Sequence, residues 1–322
     1  MADLLTRAQI ELRADLLDAD PAALSSLEHL GANGVEALRN AMSDSLFDSL
    51  ASRFARVSKL APLVPNALVT AVAQKALPPE VSGRAGGALG LAHEDRAVGV
   101  LSGMKPAYLA DAARFVDPRV IPHFAPSLPA HLLIPTAKVL LGRRDYLTAS
   151  RFVEYATEQH IVDFEKAIDD DEGLIRTAAL VSRGDVLNDI LRVAGPDRLI
   201  RMTAAATDGS PEFVVAMLSV LDRIEPELAS PAIEKLLGKP DTDAVSRILG
   251  IAARDGALVE LLDLVGLLTD DGLRHLAAAP TLHAPSFAKQ LSGVADTASR
   301  RKSWKRLDQA IAKLVKAVEV AD

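Results

Sequence analysis

The apolar positions of this chain fall in short helical bursts with a regular beat. From about residue 65 to about residue 250, a helix-start residue recurs roughly every 13 positions: Pro65, Pro79, Pro106, Pro118, Pro129, Asp145, Asp170, Pro196, Pro211, Pro226 and Pro240. Each opens an apolar-periodic run of about ten residues. Proline suits a first helical turn because its missing N–H would lack an intrahelical partner there in any case. In the run from Pro106 to Val116, for instance, Tyr108, Leu109, Ala112, Ala113 and Val116 fall on one face. Helices this short cannot bury an apolar face alone and must stack on neighbours. The pattern predicts an all-α fold: a right-handed superhelix, or solenoid, of short helices with about 13 residues per helix and helical caps at both ends.

The ends of the chain read differently. Leu4, Leu5, Ala8, Leu12, Leu16 and Leu17 mark one helix, and Asp20-Pro21 ends it and starts the next. Gly31-Ala32-Asn33-Gly34 reads as a turn, followed by a longer helix with Val35, Leu38, Met42, Leu46, Leu50, Phe54 and Val57 on one face. Five prolines between Pro118 and Pro135 predict single turns or 3₁₀ pieces, with Pro135 kinking or shortening its helix. Residues 283–299 read as partly loop, and a last helix starts near Ser299. The expected organisation is an N-terminal cap over 1–57, a short-helix array over 58–255 and a C-terminal segment over 256–322.

Three fragments of the array carry a family resemblance: Leu77-Pro78-Pro79-Glu80, Met104-Lys105-Pro106-Ala107-Tyr108-Leu109-Ala110 and Phe115-Val116-Asp117-Pro118-Arg119. Over about residues 60–220 the chain resembles the N-terminal cytoplasmic short-helix domain of MgtE-type magnesium transporters. That resemblance implies a fold, and regulatory divalent-cation (Mg²⁺) sensing as one possible function. No membrane helices and no strand-containing nucleotide module follow in this sequence, and no metal-binding residue can be transferred by position.

Composition narrows the function. The chain has 322 residues, 49% hydrophobic and only 4% aromatic. It has no cysteine, which removes disulfides, thiolate metal sites and a cysteine nucleophile. No signal peptide or transmembrane segment is legible, so a cytoplasmic location is expected. Net charge is −7, but Arg300–Lys316 alone is about +6 and the remainder about −13. Such an acidic body argues against nucleic acid as a partner.

Candidate chemistry is sparse. Asp169, Asp170, Asp171 and Glu172 read either as a hard-cation site or as acids at a helix N-terminus, and the second reading is preferred. His123 and His131, with Asp117 or Glu154, are the nearest approach to a metal set, but helical ligand spacing is lacking. Gly83, Gly86, Gly87 and Gly90 read as tight helix packing or a frayed helix, since no strand precedes them and no Lys-Ser/Thr follows. No catalytic constellation emerges, and no cofactor is expected.

Seven of the chain's aromatics lie between Tyr108 and Phe164. Tyr108, Tyr146 and Tyr155, with a basic rim of Arg143 and Arg144, form the candidate partner-binding surface. In the last helix, Trp304, Leu307, Ile311, Leu314 and Val318 form an apolar stripe expected to dock on the chain itself or to self-associate. The expected function is a non-enzymatic scaffold or adaptor that binds another protein or a membrane-protein complex.

Overall fold

The computed structural model describes residues 2–60 and 64–321; the side chains of residues 49–60, 87–92, 94 and 318–321 lie outside the description. Leu50, Phe54, Val57 and Val318 therefore fall beyond the described side chains. The protein is all-α: 80% of it is helical, with twenty α-helices and no strand among the described residues. It folds as two compact units, one of Met1–Ala8 with Leu174–Asp322 and the other of Gln9–Gly173. The segments 1–57, 58–255 and 256–322 do not mark that division.

In the unit Gln9–Gly173, the main helices after α1 (Leu4–Leu17) are α2 (Gly31–Leu60), α3 (Asn66–Ala76), α4 (Pro79–Ala92), α5 (Glu94–Leu101) and α6 (Pro106–Ala113). They continue as α7 (Ile121–Phe124), α8 (Ala130–Gly142), α9 (Tyr146–Val153), α10 (Glu158–Ala167) and the start of α11 (Asp171–Ala178). The dominant contacts skip one helix: α2 on α4, α4 on α6, α6 on α8, α8 on α10, and α3 on α5. Each helix thus covers its second neighbour, which is how helices too short to be stable alone bury their faces. Leu109, Val120, Phe124, Leu128 and Leu132 form the core beneath the proline-rich stretch.

The other unit contains α12 (Gly184–Ala194), α13 (Pro196–Asp208), α14 (Pro211–Arg223), α15 (Pro226–Leu236) and α16 (Thr242–Arg254). After these come α17 (Leu258–Val265), α18 (Asp270–Ala277), α19 (Pro285–Gly293) and α20 (Ala298–Ala321). The same skip recurs in α12 on α14, α13 on α15, α14 on α16 and α16 on α18. Met217, Leu218, Leu221, Ile233, Leu236, Ile248, Leu261 and Leu262 are fully buried here, so this unit holds most of the large core side chains.

The punctuation reading holds at the helix starts. Pro79, Pro106, Pro196, Pro211 and Pro226 begin α4, α6, α13, α14 and α15. Asp145 and Asp241 cap α9 and α16 through their side chains. Elsewhere the structure departs from the expectation. Residues Pro21–Leu30 form a 3₁₀ helix with no buried residue. Gly31–Gly34 is no turn: Gly31, at φ +64°, caps the 3₁₀ helix and α2 starts there. Glycine takes this positive φ without a Cβ clash, so the 3₁₀ helix can end and α2 begin at one residue.

Residues 118–127 are single turns as expected. Pro135, however, sits within an unbroken thirteen-residue α8. It lies early in the helix, so the single bond it removes is the one to the carbonyl of His131, an exposed first-turn residue. The supposed loop at 283–299 contains α19, opened by Pro285.

Candidate functional site

The site is built on α3 and α4. The inner face of α3 carries small and polar residues, with Thr70 and Ala73 buried. Thr70 Oγ1 donates to the carbonyl of Val100 at 2.8 Å. Gln74 Oε1 accepts from the Lys105 amide at 2.8 Å. Arg96 donates to the carbonyl of Val64. The Tyr108 hydroxyl of α6 reaches the carbonyl oxygens of Ala73 (2.8 Å) and Leu77 (3.1 Å) and the Ser82 hydroxyl (2.6 Å). These bonds fix which side of α3 faces the stack.

The opposite side of α3 presents Leu68 and Val72 to solvent, and two more exposed apolar residues follow in the chain. Leu68 is 54% exposed, Val72 46%, Leu77 39% and Val81 37%. Leu68 and Val72 are one turn apart on α3; Leu77 is the extended residue that ends α3, and Val81 lies in the first turn of α4. Half of the eight large hydrophobic side chains most exposed among the described residues therefore lie within 14 positions. Charge is scarce beside them: Lys75 is one neighbour, and Glu80 is neutralised by Arg84 at 2.9 Å. Single exposed apolar residues are ordinary; four within 14 positions are a local concentration.

Of the candidate binding residues, Tyr108 is half-buried, with its hydroxyl bonded within its own unit. Its hydroxyl donates to a carbonyl and accepts from Ser82, which staples α6 to α3 and α4. Removing that hydroxyl in Tyr108→Phe is expected to cost about 1–2 kcal/mol of stability, measured by chemical unfolding, with partner binding unchanged. Tyr146 and Tyr155 are half-buried. Arg143 and Arg144 are exposed at the end of α8. Arg143 pairs with Asp111 at 2.6 Å. Arg144 adopts a left-handed φ of 59°, and its amide closes the helix end on the Leu141 carbonyl.

Asp170 Oδ1 accepts from the Gly173 amide at 2.9 Å, as an acid at the start of α11 does. Asp169 is exposed, and Asp171 and Glu172 lie in the first turn of α11. No group of three His, Cys, Asp or Glu among the described residues could hold a metal ion. His123 and His131 are exposed, and Asp117 is bound by Arg119 at 2.7 Å. His160, not singled out by the sequence, is buried. Its Nδ1 accepts from the Thr157 amide at 3.3 Å, and its Nε2 lies 2.8 Å from the Leu128 carbonyl, so both ring nitrogens are used.

The glycine-rich helix α4 has a packing role at Gly83. A Cβ there would lie 2.3 Å from the Ala112 carbonyl oxygen and 2.9 Å from Phe115 Cβ. Gly86 has nothing within 4 Å of that position.

The unit containing Leu174–Asp322 holds a cleft of about 380 Å³, lined by Leu221, Asp222, Ile224, Pro226, Asp263, Leu264 and Leu267. Burial, then the charges of Asp263 and Glu260, push the Asp222 carboxyl up to about 7, opposed by Arg300 and Arg223. Arg300 of α20 binds both oxygens of Asp263 at 2.8–3.0 Å. Glu260 is buried; its Oε1 accepts from the Leu4 amide at 2.5 Å, while Oε2 has no hydrogen-bond partner among the described residues. Burial holds its pKa above the ordinary carboxylate value.

In α20, Leu307 is fully buried, Trp304, Ile311 and Leu314 are half-buried, and Val318 lies outside the described side chains. The helix packs on α17, α18 and α19. No helix among the described residues is long and apolar enough to cross a membrane. Comparison with protein-family models, with curated proteins and with solved structures finds no match for this chain.

Proposed function

We propose that this protein is a non-enzymatic helical scaffold that binds another protein through the outer face of α3 and the start of α4. The observation that carries this reading is the exposure of Leu68 and Val72 on one face of α3, with exposed Leu77 and Val81 close after them in the chain. The opposite face of α3 is tied into the stack by Thr70, Gln74 and Tyr108, so the helix cannot turn its apolar side inward without losing those bonds. The strip is weakly charged, and the partner chemistry that fits it is an apolar, uncharged segment, such as one face of an amphipathic helix.

The test is capture from cells that make the protein, comparing the native chain with Leu68→Asp/Val72→Asp. Both side chains are exposed, so the double substitution is expected to leave thermal unfolding within about 0.5 kcal/mol of native. Any partner held by this face is expected to fall at least tenfold in yield, since two charges against an apolar contact cost more than about 1.4 kcal/mol. An unchanged set of bound proteins would remove the surface from consideration.

A further inference from the structure

The cleft of about 380 Å³ in the unit containing Leu174–Asp322 lies where two helices end. Leu221 and Asp222 belong to the last turn of α14, and Asp263 and Leu264 to the last turn of α17. Ile224 and Leu267 follow just beyond those two ends. The C-terminus of a helix carries the partial negative charge of its aligned peptide dipoles, which favours a cation beside it. The volume is of the order that holds a small molecule.

Asp222 is half-buried in this lining, and the fold gives it no partner. Its carboxyl makes no hydrogen bond or ion pair among the described residues, and its neighbours act on it only through space. Asp263 and Glu260 add negative charge at the same place. The two cations nearby are committed elsewhere. Arg300 holds both oxygens of Asp263 and also Asp296 at 2.8 Å. Arg223 donates to the carbonyls of Ser219, Val181, Ala178 and Ala179. A partly desolvated carboxyl without a donor costs stability, and a ligand that brings a donor removes that cost. We propose that this cleft binds a small organic cation, a primary alkylammonium ion whose N–H groups donate to Asp222 and whose hydrocarbon chain lies on Leu221, Ile224, Pro226, Leu264 and Leu267.

The lining selects this class of ligand. Five of its seven residues are apolar, so a fully hydrophilic ion would leave most of the wall without a contact. A metal ion finds too few oxygen ligands: Asp263 is engaged by Arg300, and no group of three His, Cys, Asp or Glu among the described residues could hold one. An anion would meet two carboxyls and two helix C-termini and be repelled. An alkylammonium ion matches both parts of the wall, with a charged donor at one end and hydrocarbon along the rest. The site lies in the other unit from α3 and α4, so this proposal and the scaffold reading fail separately.

The test is calorimetry on the full-length protein with three probes: n-hexylammonium, n-hexanol and acetyl-lysine methylamide. Hexanol has the same tail without the charge. The blocked lysine has the same ammonium on a polar peptide unit, as a protein partner would present it. At pH 8 hexylammonium is expected to bind at least tenfold more tightly than either. Its affinity should fall at least tenfold in Asp222→Asn, whose fold is read separately by urea unfolding with Trp304 emission. It should also fall at least tenfold in the native protein between pH 8 and pH 5.5. There Asp222, pushed up to about 7, holds its proton, while the amine stays charged at both values. No binding of hexylammonium up to about 20 mM would overturn the proposal. So would equal affinity for hexanol, tighter binding of the blocked lysine, or hexylammonium binding undiminished in folded Asp222→Asn or at pH 5.5.

Discussion

Asp222→Asn is expected to stabilise the unit containing Leu174–Asp322 at pH 8 and to change it little at pH 4. The folded pKa of Asp222 is raised to about 7 from an ordinary value of 3.8, chiefly by burial. Between those two values the folded chain keeps a proton that the unfolded chain has released. Stability therefore falls as pH rises across that window, by up to about 1.4 kcal/mol per pH unit, and the loss is complete above the folded pKa. This is the reverse of a salt-bridged aspartate, whose contribution is lost as pH falls.

The charged groups around the carboxyl fix the size of the effect. Asp263 and Glu260, both on α17, oppose ionisation, while Arg300 of α20 and Arg223 of α14 favour it. Arg300 is committed to Asp263, and Arg223 donates to the carbonyls of Ser219, Ala178 and Ala179, so neither closes on Asp222 as a dedicated partner. An uncharged asparagine removes the cost, a gain of roughly 2–4 kcal/mol at pH 8. Urea unfolding followed by Trp304 emission measures it, because the single tryptophan lies in this unit while Tyr108, Tyr146 and Tyr155 lie in the other. Equal stability of the two proteins at pH 8 would mean that Asp222 ionises without cost.

Gly83→Ala is expected to be the most damaging single-methyl change in the unit Gln9–Gly173. The added carbon would meet a backbone oxygen of α6, which cannot rotate away as a side chain can. Helices α4 and α6 must separate, at roughly 2–3 kcal/mol for overpacking of this kind. Gly86→Ala is the matched control, three residues along the same helix with open space around its Cβ. It should be neutral or up to about 1 kcal/mol more stable, since alanine favours a helix over glycine. Unfolding followed by tyrosine emission separates the two; equal effects would show that α4 and α6 are not in close contact at Gly83.

What the sequence discloses follows from where local chemistry decides the outcome. Pro106, Pro196, Pro211 and Pro226 mark helix starts because proline's geometry is fixed whatever surrounds it. Gly83 was legible as a packing residue because the phosphate-loop alternative lacked its strand and its lysine. The 3₁₀ helix at Pro21–Leu30 was not legible, since its residues suit an α-helix equally well. The outer strip of α3 was missed for a related reason. Leu68 and Val72 look like core positions, and only the bonds of Thr70, Gln74 and Tyr108 show which side faces inward. A signal was present: α3 has apolar residues on both faces, more than one buried side requires. Tyr108 drew attention as a candidate binding residue, and the three partners of its hydroxyl lie 26 to 35 residues away in sequence. Asp222 carried no motif at all, because its environment is assembled by α14, α17 and α20.

The scaffold reading is tested most directly by placing a photo-crosslinking amino acid at Val72 in the native cell, with the same probe at exposed Arg144 as control. A discrete adduct with another protein at position 72, absent at 144 and lost on adding Leu68→Asp, is the expected result. The same adducts at both positions, or adducts at 72 that survive Leu68→Asp, would contradict the assignment of this face as the binding surface.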